Sequence, residues 1–180
     1  MKERFPINPA SNAPILFCMI LCVFLSIFLL ALVFLFVLGG RKDAIAWSVF
    51  LLVIILLFGY IAYSARHTMF EVSPEGLRIT GTLYGRQIPL SALNVEQAMP
   101  VDLTRDREYQ MVLRTNGAGL PGYSAGWFRL RKGEKSLAFV TDGRHVLYLP
   151  TYQGYSVLMS VADPGALLKA LVLIYLTQKP

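Results

Sequence analysis

Two long hydrophobic runs near the N-terminus form the strongest pattern in the chain. The first run covers positions 14–38 and the second covers 44–65, with two glycines and three charged residues between them. As a helix, the first run would be about 37 Å long, which exceeds the roughly 30 Å hydrocarbon core of a bilayer. Because the connection is so short, the pattern predicts a transmembrane hairpin of two antiparallel helices, preceded by a tail over residues 1–13.

A cleaved signal peptide is the main alternative for the first run. Its apolar region would cover only about 7–15 residues and would end at a small-residue cleavage site. The first run is longer and is followed at once by the second. Cys18 and Cys22 lie inside it, and we interpret them as small apolar residues of a membrane helix rather than as a disulfide or a metal site.

The residues at the ends of the two runs set the expected orientation. The loop of the hairpin contains Arg41 and Lys42, whereas five basic residues flank the hairpin on the other side, namely Lys2, Arg4, Arg66, Arg78 and Arg86. Because basic residues favour the cytoplasmic side, we expect a multi-pass protein of the inner (cytoplasmic) membrane with both termini in the cytoplasm.

The content of the two runs narrows the class of membrane protein. Trp47 lies near one end of the second run, and Tyr60 and Tyr63 lie near the other, which is the usual distribution of interfacial aromatic residues. Neither run has an ionisable residue at mid-depth, whereas transporters and channels usually do. We therefore interpret the hairpin as an anchor.

From Met69 onward, the helical period gives way to short alternating segments. Turns are predicted at 73–76 and at Asp142-Gly143, and a loop is predicted over 116–122. Asp163 as N-cap and Pro164 at the first helical position predict a closing helix. This pattern predicts a mainly β sandwich or small barrel over residues 66–180, closed by a C-terminal α-helix. Its strands are predicted at 69–72, 77–80, 85–90, 93–98, 109–114, 127–131, 136–141, 145–149 and 155–159.

A set of turn and core residues is distributed along these segments. It comprises Gly85-Arg86-Gln87-Ile88-Pro89-Leu90, Asn116-Gly117, Gly122-Tyr123, Gly126-Trp127-Phe128, Val140-Thr141-Asp142, Ser160 and Asp163-Pro164. With these residues the chain resembles the bacterial pleckstrin-homology (PH) domain family, here in a membrane-anchored form. The resemblance covers roughly residues 70–173 and implies a PH-like fold without implying a particular activity.

The first hairpin loop bears on the ligand that this resemblance implies. Eukaryotic relatives that bind phosphoinositides have basic residues in that loop. Here Ser73-Pro74-Glu75-Gly76 has an acid and no base, so we expect no phosphoinositide binding through it.

Composition and charge exclude several other classes. Hydrophobic residues make up 55% of the chain, and the excess lies in the two runs. The net charge is +6, but the basic residues are scattered, so we expect no nucleic-acid partner. The two histidines, His67 and His145, are far apart, Ser124 lacks a nucleophile elbow, and the glycines at 117–119 lack a phosphate-binding signature. We therefore expect neither an enzyme nor a cofactor.

Two surfaces remain as candidate sites. Trp127, Arg129 and Arg131 would share one strand face, and Lys132 and Lys135 add to the densest basic patch of the chain. This patch is interpreted either as a solvated face or as a contact for anionic headgroups or an acidic partner.

The second surface is on the C-terminal helix. One stripe, formed by Leu167, Ala170, Leu171 and Ile174, suffices to cover a small β domain. Four further aliphatics remain, and contiguous exposed apolar residues usually mark a contact. We expect this second face to contact the membrane surface, the hairpin helices or a neighbouring subunit. Its residues are Leu168, Val172, Leu173 and Leu176.

These observations together predict a membrane-anchored interaction or regulatory module of unknown specific role. The expected partners are the lipid bilayer and either a membrane protein or a second copy of the chain. A sensor of anionic lipid headgroups on the same scaffold is the alternative.

Overall fold

The structure is a computed structural model that describes residues 2–8, 12–39 and 43–178. Two helices, α1 (Asn12–Gly39) and α2 (Asp43–His67), are each long and apolar enough to cross a membrane. They extend the predicted helices by one or two residues at each end. Most of the predicted hairpin loop, Gly40 to Lys42, lies outside the described residues.

The two helices pack against each other along a seam with heptad spacing. The shielded positions on α1 include 15, 18, 22, 25, 29, 32 and 36, and those on α2 include 48, 51, 55, 58 and 62. Alternating steps of three and four are typical of left-handed helix pairs. Cys18 is buried in the seam, and the Cys22 sulfur lies 3.9 Å from the Ile55 carbonyl oxygen. Most of the remaining helix surface is apolar and exposed, as a bilayer requires.

The rest of the chain forms two open sheets and one helix, which confirms the predicted fold class, although neither sheet closes into a barrel. The first sheet has the order β1-β2-β3-β4, and the second has the order β5-β9-β10-β8-β7-β6. The elements are β1 (Glu3–Pro6), β2 (Met69–Ser73), β3 (Gly76–Thr80), β4 (Gln87–Pro89), β5 (Met99–Val101), β6 (Met111–Leu120), β7 (Tyr123–Leu130), β8 (Lys135–Val140), β9 (Val146–Pro150), β10 (Ser156–Ser160) and α3 (Pro164–Gln178).

The first strand was not predicted, because its residues were assigned to a tail. β1 pairs with β2 in antiparallel register, from Glu3 opposite Val72 to Pro6 opposite Met69. Ile7, just after β1, is buried in the main core. The hairpin is therefore inserted between two neighbouring strands of one sheet. A hydrogen bond of 2.9 Å from Arg66 to Asn12 joins its two ends.

Two predicted elements differ in the structure. The strand predicted at 93–98 is wrong, since a 3₁₀ turn over Val95–Gln97 occupies its centre. The loop predicted at 116–122 is also wrong, because β6 continues to Leu120 and only two residues turn the chain into β7. Gly117 and Gly126 face each other across this pair, and a Cβ on either would overlap the opposite backbone.

The hairpin predicted at Asp142-Gly143 is wrong as well. β10 lies between β8 and β9, and it pairs with β8 in parallel orientation. The Asp142 carboxylate accepts hydrogen bonds from the Arg144 backbone N–H and from the side chain of Asn8. A local bond to Arg144 and a long-range bond to Asn8 thus hold the turn, and the chain leaves β8 without folding back onto it.

Two hydrophobic clusters lie on opposite faces of the second sheet. The larger cluster fills the space between the two sheets and α3, and the smaller one lies under residues 101–111. As a result, β8, β9 and β10 are buried on both faces, apart from Lys135. The second sheet is therefore a rigid platform for the surface residues around it.

The role of the N-terminal strand can be tested by changing Ile7 to Ala in the full chain. We expect the free energy of unfolding in detergent micelles to fall by about 2–5 kcal/mol, because a buried aliphatic side chain is lost. Lys2→Ala is the control and should cost about 1 kcal/mol or less, since the Lys2 side chain is exposed and Arg4 still pairs with the Glu71 carboxylate. Equal, small effects would mean that this segment is not part of the core.

Candidate functional site

The joint between α2 and the β domain fixes where every other surface lies. The Ser64 and Tyr123 hydroxyls are 2.9 Å apart, and Thr68 donates to the Ser64 carbonyl oxygen at 2.8 Å. Burial raises the pKa of Tyr123, while the hydrogen bond to Ser64 opposes that shift. Gly81 has φ +77°, and a Cβ there would overlap the His67 carbonyl oxygen. The domain is therefore held tightly against the helix end.

The C-terminal helix leads away from this joint. β2 starts directly after α2, and its five residues extend about 16 Å to the turn at Pro74. At the other end of α3, the Gln178 side chain donates to the Pro74 carbonyl oxygen at 2.9 Å. The last turns of α3 therefore lie at the end of the domain that is far from α2. The end of α2 is therefore not within contact distance of those turns.

The two faces of α3 divide largely as predicted. Leu167, Ala170, Leu171 and Ile174 are buried in the main core. Leu168 also packs partly against that core, which removes part of it from the second face. The other three residues stay accessible, and Leu173 and Leu176 are 50% and 60% exposed.

A shallow groove of about 250 Å³ runs beside this exposed face. One wall is formed by α3. The other is formed by the 3₁₀ turn at 95–97, within the segment that the sequence pattern predicts as a strand. The Tyr175 hydroxyl donates to the Glu96 carboxylate at 3.1 Å across the groove. The lining is otherwise mostly apolar and comprises Val95, Glu96, Ala98, Leu168, Val172, Tyr175 and Leu176.

The basic patch loses one of its predicted members. The Lys132 ammonium lies 2.6 Å from the Glu134 carboxylate and 2.8 Å from the Tyr148 hydroxyl. It also lies over the Tyr109 and Tyr148 rings, at 4.4 and 4.1 Å from their centroids. Burial alone would lower the pKa of Lys132, but the bonds to Glu134 and Tyr148 outweigh it and raise that pKa. Lys132 thus fastens the loop before β6 to the second sheet.

The other members of the patch surround Trp127. The Lys135 ammonium is 4.3 Å from the centroid of the Trp127 ring. Arg129 is exposed on the same strand face, whereas Arg131 lies beyond the end of β7, 3.4 Å from the Gln110 side chain. No carboxylate in the described ranges lies within salt-bridge distance of Arg129 or Lys135. Trp127, Arg129 and Lys135 therefore form an open cationic surface.

Sequence reasoning missed one residue of this surface. The Arg86 guanidinium lies 4.8 Å from the Trp127 ring and 5.9 Å from the Tyr155 ring. Trp127 and Tyr155 meet edge to face at 5.1 Å. Arg86 immediately precedes β4 of the first sheet and reaches the second sheet only through the tertiary fold, so no local pattern indicates this contact. We define the Trp127 cluster as Arg86, Trp127, Arg129, Lys135 and Tyr155.

The residues considered for catalysis stay apart. His67 stacks on Tyr63 at 3.9 Å, and His145 contacts the Asp142 carboxylate at 2.8 Å. Ser124 pairs with Gly119 and Val140 within the second sheet. Among the described residues, no group of three His, Cys, Asp or Glu is placed to hold a metal ion.

A family model described as bacterial PH domain matches residues 68–173. The chain belongs to the bacterial PH domain family. No curated protein and no solved structure matches it. PH-like domains are generally non-catalytic, and the match covers the two sheets except β1, together with most of α3. The two apolar helices before this PH domain are compatible with membrane anchoring.

The structural role of Lys132 can be tested with Lys132→Met. We expect a loss of about 1–2 kcal/mol in unfolding free energy at neutral pH, because a partly buried ion pair and two cation–π contacts disappear. Arg129→Met, at an exposed position on the same surface, should cost less than about 0.5 kcal/mol.

The pH dependence of the same pair gives a second readout. Because the folded-state pKa of Lys132 is raised, its contribution is fully present below the ordinary lysine pKa of about 10.4. It is lost as the pH rises through the folded-state value. The difference between wild type and Lys132→Met should therefore shrink only at strongly alkaline pH. A constant difference would contradict the ion pair.

Proposed function

We propose that this chain is a membrane-anchored PH-like module that binds a protein partner through the exposed face of α3. The observation that supports this proposal best is the accessible aliphatic row beside the groove, with Leu173 and Leu176 at least half exposed. Burying one such leucine contributes about 1.5–3 kcal/mol, so each leucine of the row would strengthen a complex measurably.

The chemistry of the groove favours one kind of occupant. The row from Leu168 to Leu176 covers eight steps of a helix, or about 12 Å, and its lining is apolar except for the Glu96–Tyr175 pair. The groove lies at the end of the domain away from α2, so the hairpin helices do not fill it. An apolar face of a helix, two to three turns long and supplied by another protein, matches these dimensions.

We further propose that both termini lie on the cytoplasmic side of the inner membrane. The pairing of β1 with β2 brings the two ends of the hairpin to one side, and basic residues are more numerous there than in the loop. Reporter fusions after Lys179 and within residues 39–43 test this orientation. We expect cytoplasmic reporter activity from the first fusion and the opposite from the second. The reverse pattern would overturn the orientation.

The binding surface can be tested with Leu173→Ser and Leu176→Ser in the full chain. We expect both variants to melt within a few degrees of wild type, because both side chains are exposed. Each variant should lose a protein that co-purifies with wild type from native membranes, and binding should then be repeated with that protein in purified form. Lys169→Ser, an exposed polar change on the same helix, is the matched control for binding.

Leu171→Ser is the control for stability, since Leu171 is buried and this change should lower the melting temperature strongly. Retention of the purified partner by both variants would contradict the proposal. If light scattering instead detects a wild-type oligomer that the two variants disrupt, the occupant is a second copy of the chain.

Recognition of anionic lipid headgroups is the second candidate function. The observation that favours it is the stacking of Arg86 and Lys135 on Trp127 without a carboxylate partner in the described ranges. In a Trp47→Phe background, Trp127 is the only tryptophan, so its fluorescence reports on this cluster alone.

If headgroups bind, Trp127 emission should differ between anionic and neutral nanodiscs. The difference should also decrease with salt, because exposed charges are screened over about 10 Å at 0.1 M. Changing Arg86, Arg129 and Lys135 to Gln should abolish it. Identical emission in both lipids would leave the cluster as a solvated face.

A further inference from the structure

The loop between β3 and β4 carries an exposed leucine close to the membrane helix. Leu83 is 59% exposed, although most other large aliphatics of the β domain are buried. It lines a small crevice together with Tyr60, Ile61 and Ser64 of α2. The loop thus extends alongside the last turns of α2 instead of pointing away from them. This side chain has no obvious role in the fold.

The position of Leu83 along α2 gives its depth. From Ile45, where the apolar span of α2 begins, Tyr60 is about 22 Å along the helix and Ser64 is about 28 Å along it. The hydrocarbon core is roughly 30 Å thick, so both residues lie within about the last 8 Å of it, next to the boundary with the headgroups. Tyr60 and Tyr63 are both accessible there, as interfacial aromatics usually are. Leu83 therefore lies at the depth of this boundary.

The loop is held in place by bonds to both sheets. The Gly85 N–H donates to the Thr82 carbonyl oxygen at 3.2 Å, and the Ile79 N–H donates to the Arg86 carbonyl oxygen at 2.8 Å. The Tyr84 hydroxyl donates to the Asn116 side chain at 3.2 Å. Tyr84 thus points toward the domain while its neighbour Leu83 stays accessible. These bonds hold the loop in a conformation in which the Leu83 side chain projects from the surface of the domain.

We propose that the β3–β4 loop is a third membrane contact, in which Leu83 inserts into the interface of the bilayer that α2 crosses. The loop supplies one large aliphatic side chain at the boundary, and no acidic residue lies between Gly81 and Arg86 to oppose insertion. With the link between β1 and α1 and the link between α2 and β2, it gives the domain three attachment points. Three such points together hold the domain at one tilt relative to the bilayer plane. This inference rests on the proposed membrane anchoring.

The test uses full chains in lipid nanodiscs, in a Trp47→Phe, Trp127→Phe background that leaves no other tryptophan. Single tryptophans are then introduced as Leu83→Trp, as Tyr60→Trp for the interface, and as Leu56→Trp for the hydrocarbon core. Tyr152→Trp is the solvent control, because Tyr152 is 67% exposed on the loop between β9 and β10. Quenching is measured with lipids brominated at shallow and at deep acyl positions.

We expect Leu83→Trp to be quenched by shallow bromines to within about twofold of Tyr60→Trp, and Tyr152→Trp to be unaffected. If Leu56→Trp is quenched while Leu83→Trp behaves like Tyr152→Trp, the loop contact is overturned and the anchoring stands. If Leu56→Trp is not quenched, the anchoring itself fails, and the loop contact fails with it.

A smaller substitution guards against an artefact of the bulky tryptophan. In a Cys18→Ala, Cys22→Ala background, Leu83→Cys should react with a water-soluble maleimide at least about tenfold more slowly in nanodiscs than Tyr152→Cys. The two cysteines should react at similar rates once the chain is in detergent without lipid and is unfolded with urea. Equal rates in nanodiscs would overturn the contact.

Discussion

The pairing of β1 with β2 is the constraint on which the rest of the structure depends. These two strands are separated in sequence by both apolar helices, yet they are neighbours in one sheet. The hairpin must therefore leave and re-enter the same edge of the domain. Buried Ile7, the ion pairs of Lys2 and Arg4 with Glu71, and the bond between Arg66 and Asn12 all reinforce this closure. The β domain is thus joined directly to both ends of the helical hairpin, with only short links between them.

Sequence reasoning succeeded where one element determines its own pattern. Each apolar run, and likewise the buried stripe of α3, lies within one helix. Its hydrophobic spacing is therefore visible in a short stretch of sequence. Sequence reasoning failed where a distant partner decides the outcome. Glu3–Pro6 has no local signal for a strand and becomes one only because β2 offers a free edge. Asp142-Gly143 has the composition of a hairpin turn, but its side-chain bonds and the insertion of β10 override it. Arg86 reaches Trp127 only because the two sheets pack together.

The candidate surfaces differ in how far the fold itself uses them. Lys132 has the right charge for a binding patch, but it forms an ion pair with Glu134 and lies over the rings of two tyrosines. Leu168 packs partly against the core. What remains accessible is the outer row of α3 at one end of the domain, the Trp127 cluster on the second sheet, and Leu83 beside α2. These surfaces differ in their chemistry, and all three lie on one PH domain whose interior is filled by two hydrophobic clusters.

The position of β1 ahead of both helices also has a consequence for biosynthesis. On the ribosome, β1 is made first, and its partner β2 follows more than 60 residues later. At about 5–20 residues per second, the strand waits several seconds with its backbone groups unpaired. The two apolar helices pack against each other, and Arg66 at the end of α2 is bonded to Asn12 at the start of α1, so the helix pair holds β1 and β2 at the same place. The pairing of the helices therefore lowers the loop-closure entropy that would otherwise oppose the first sheet.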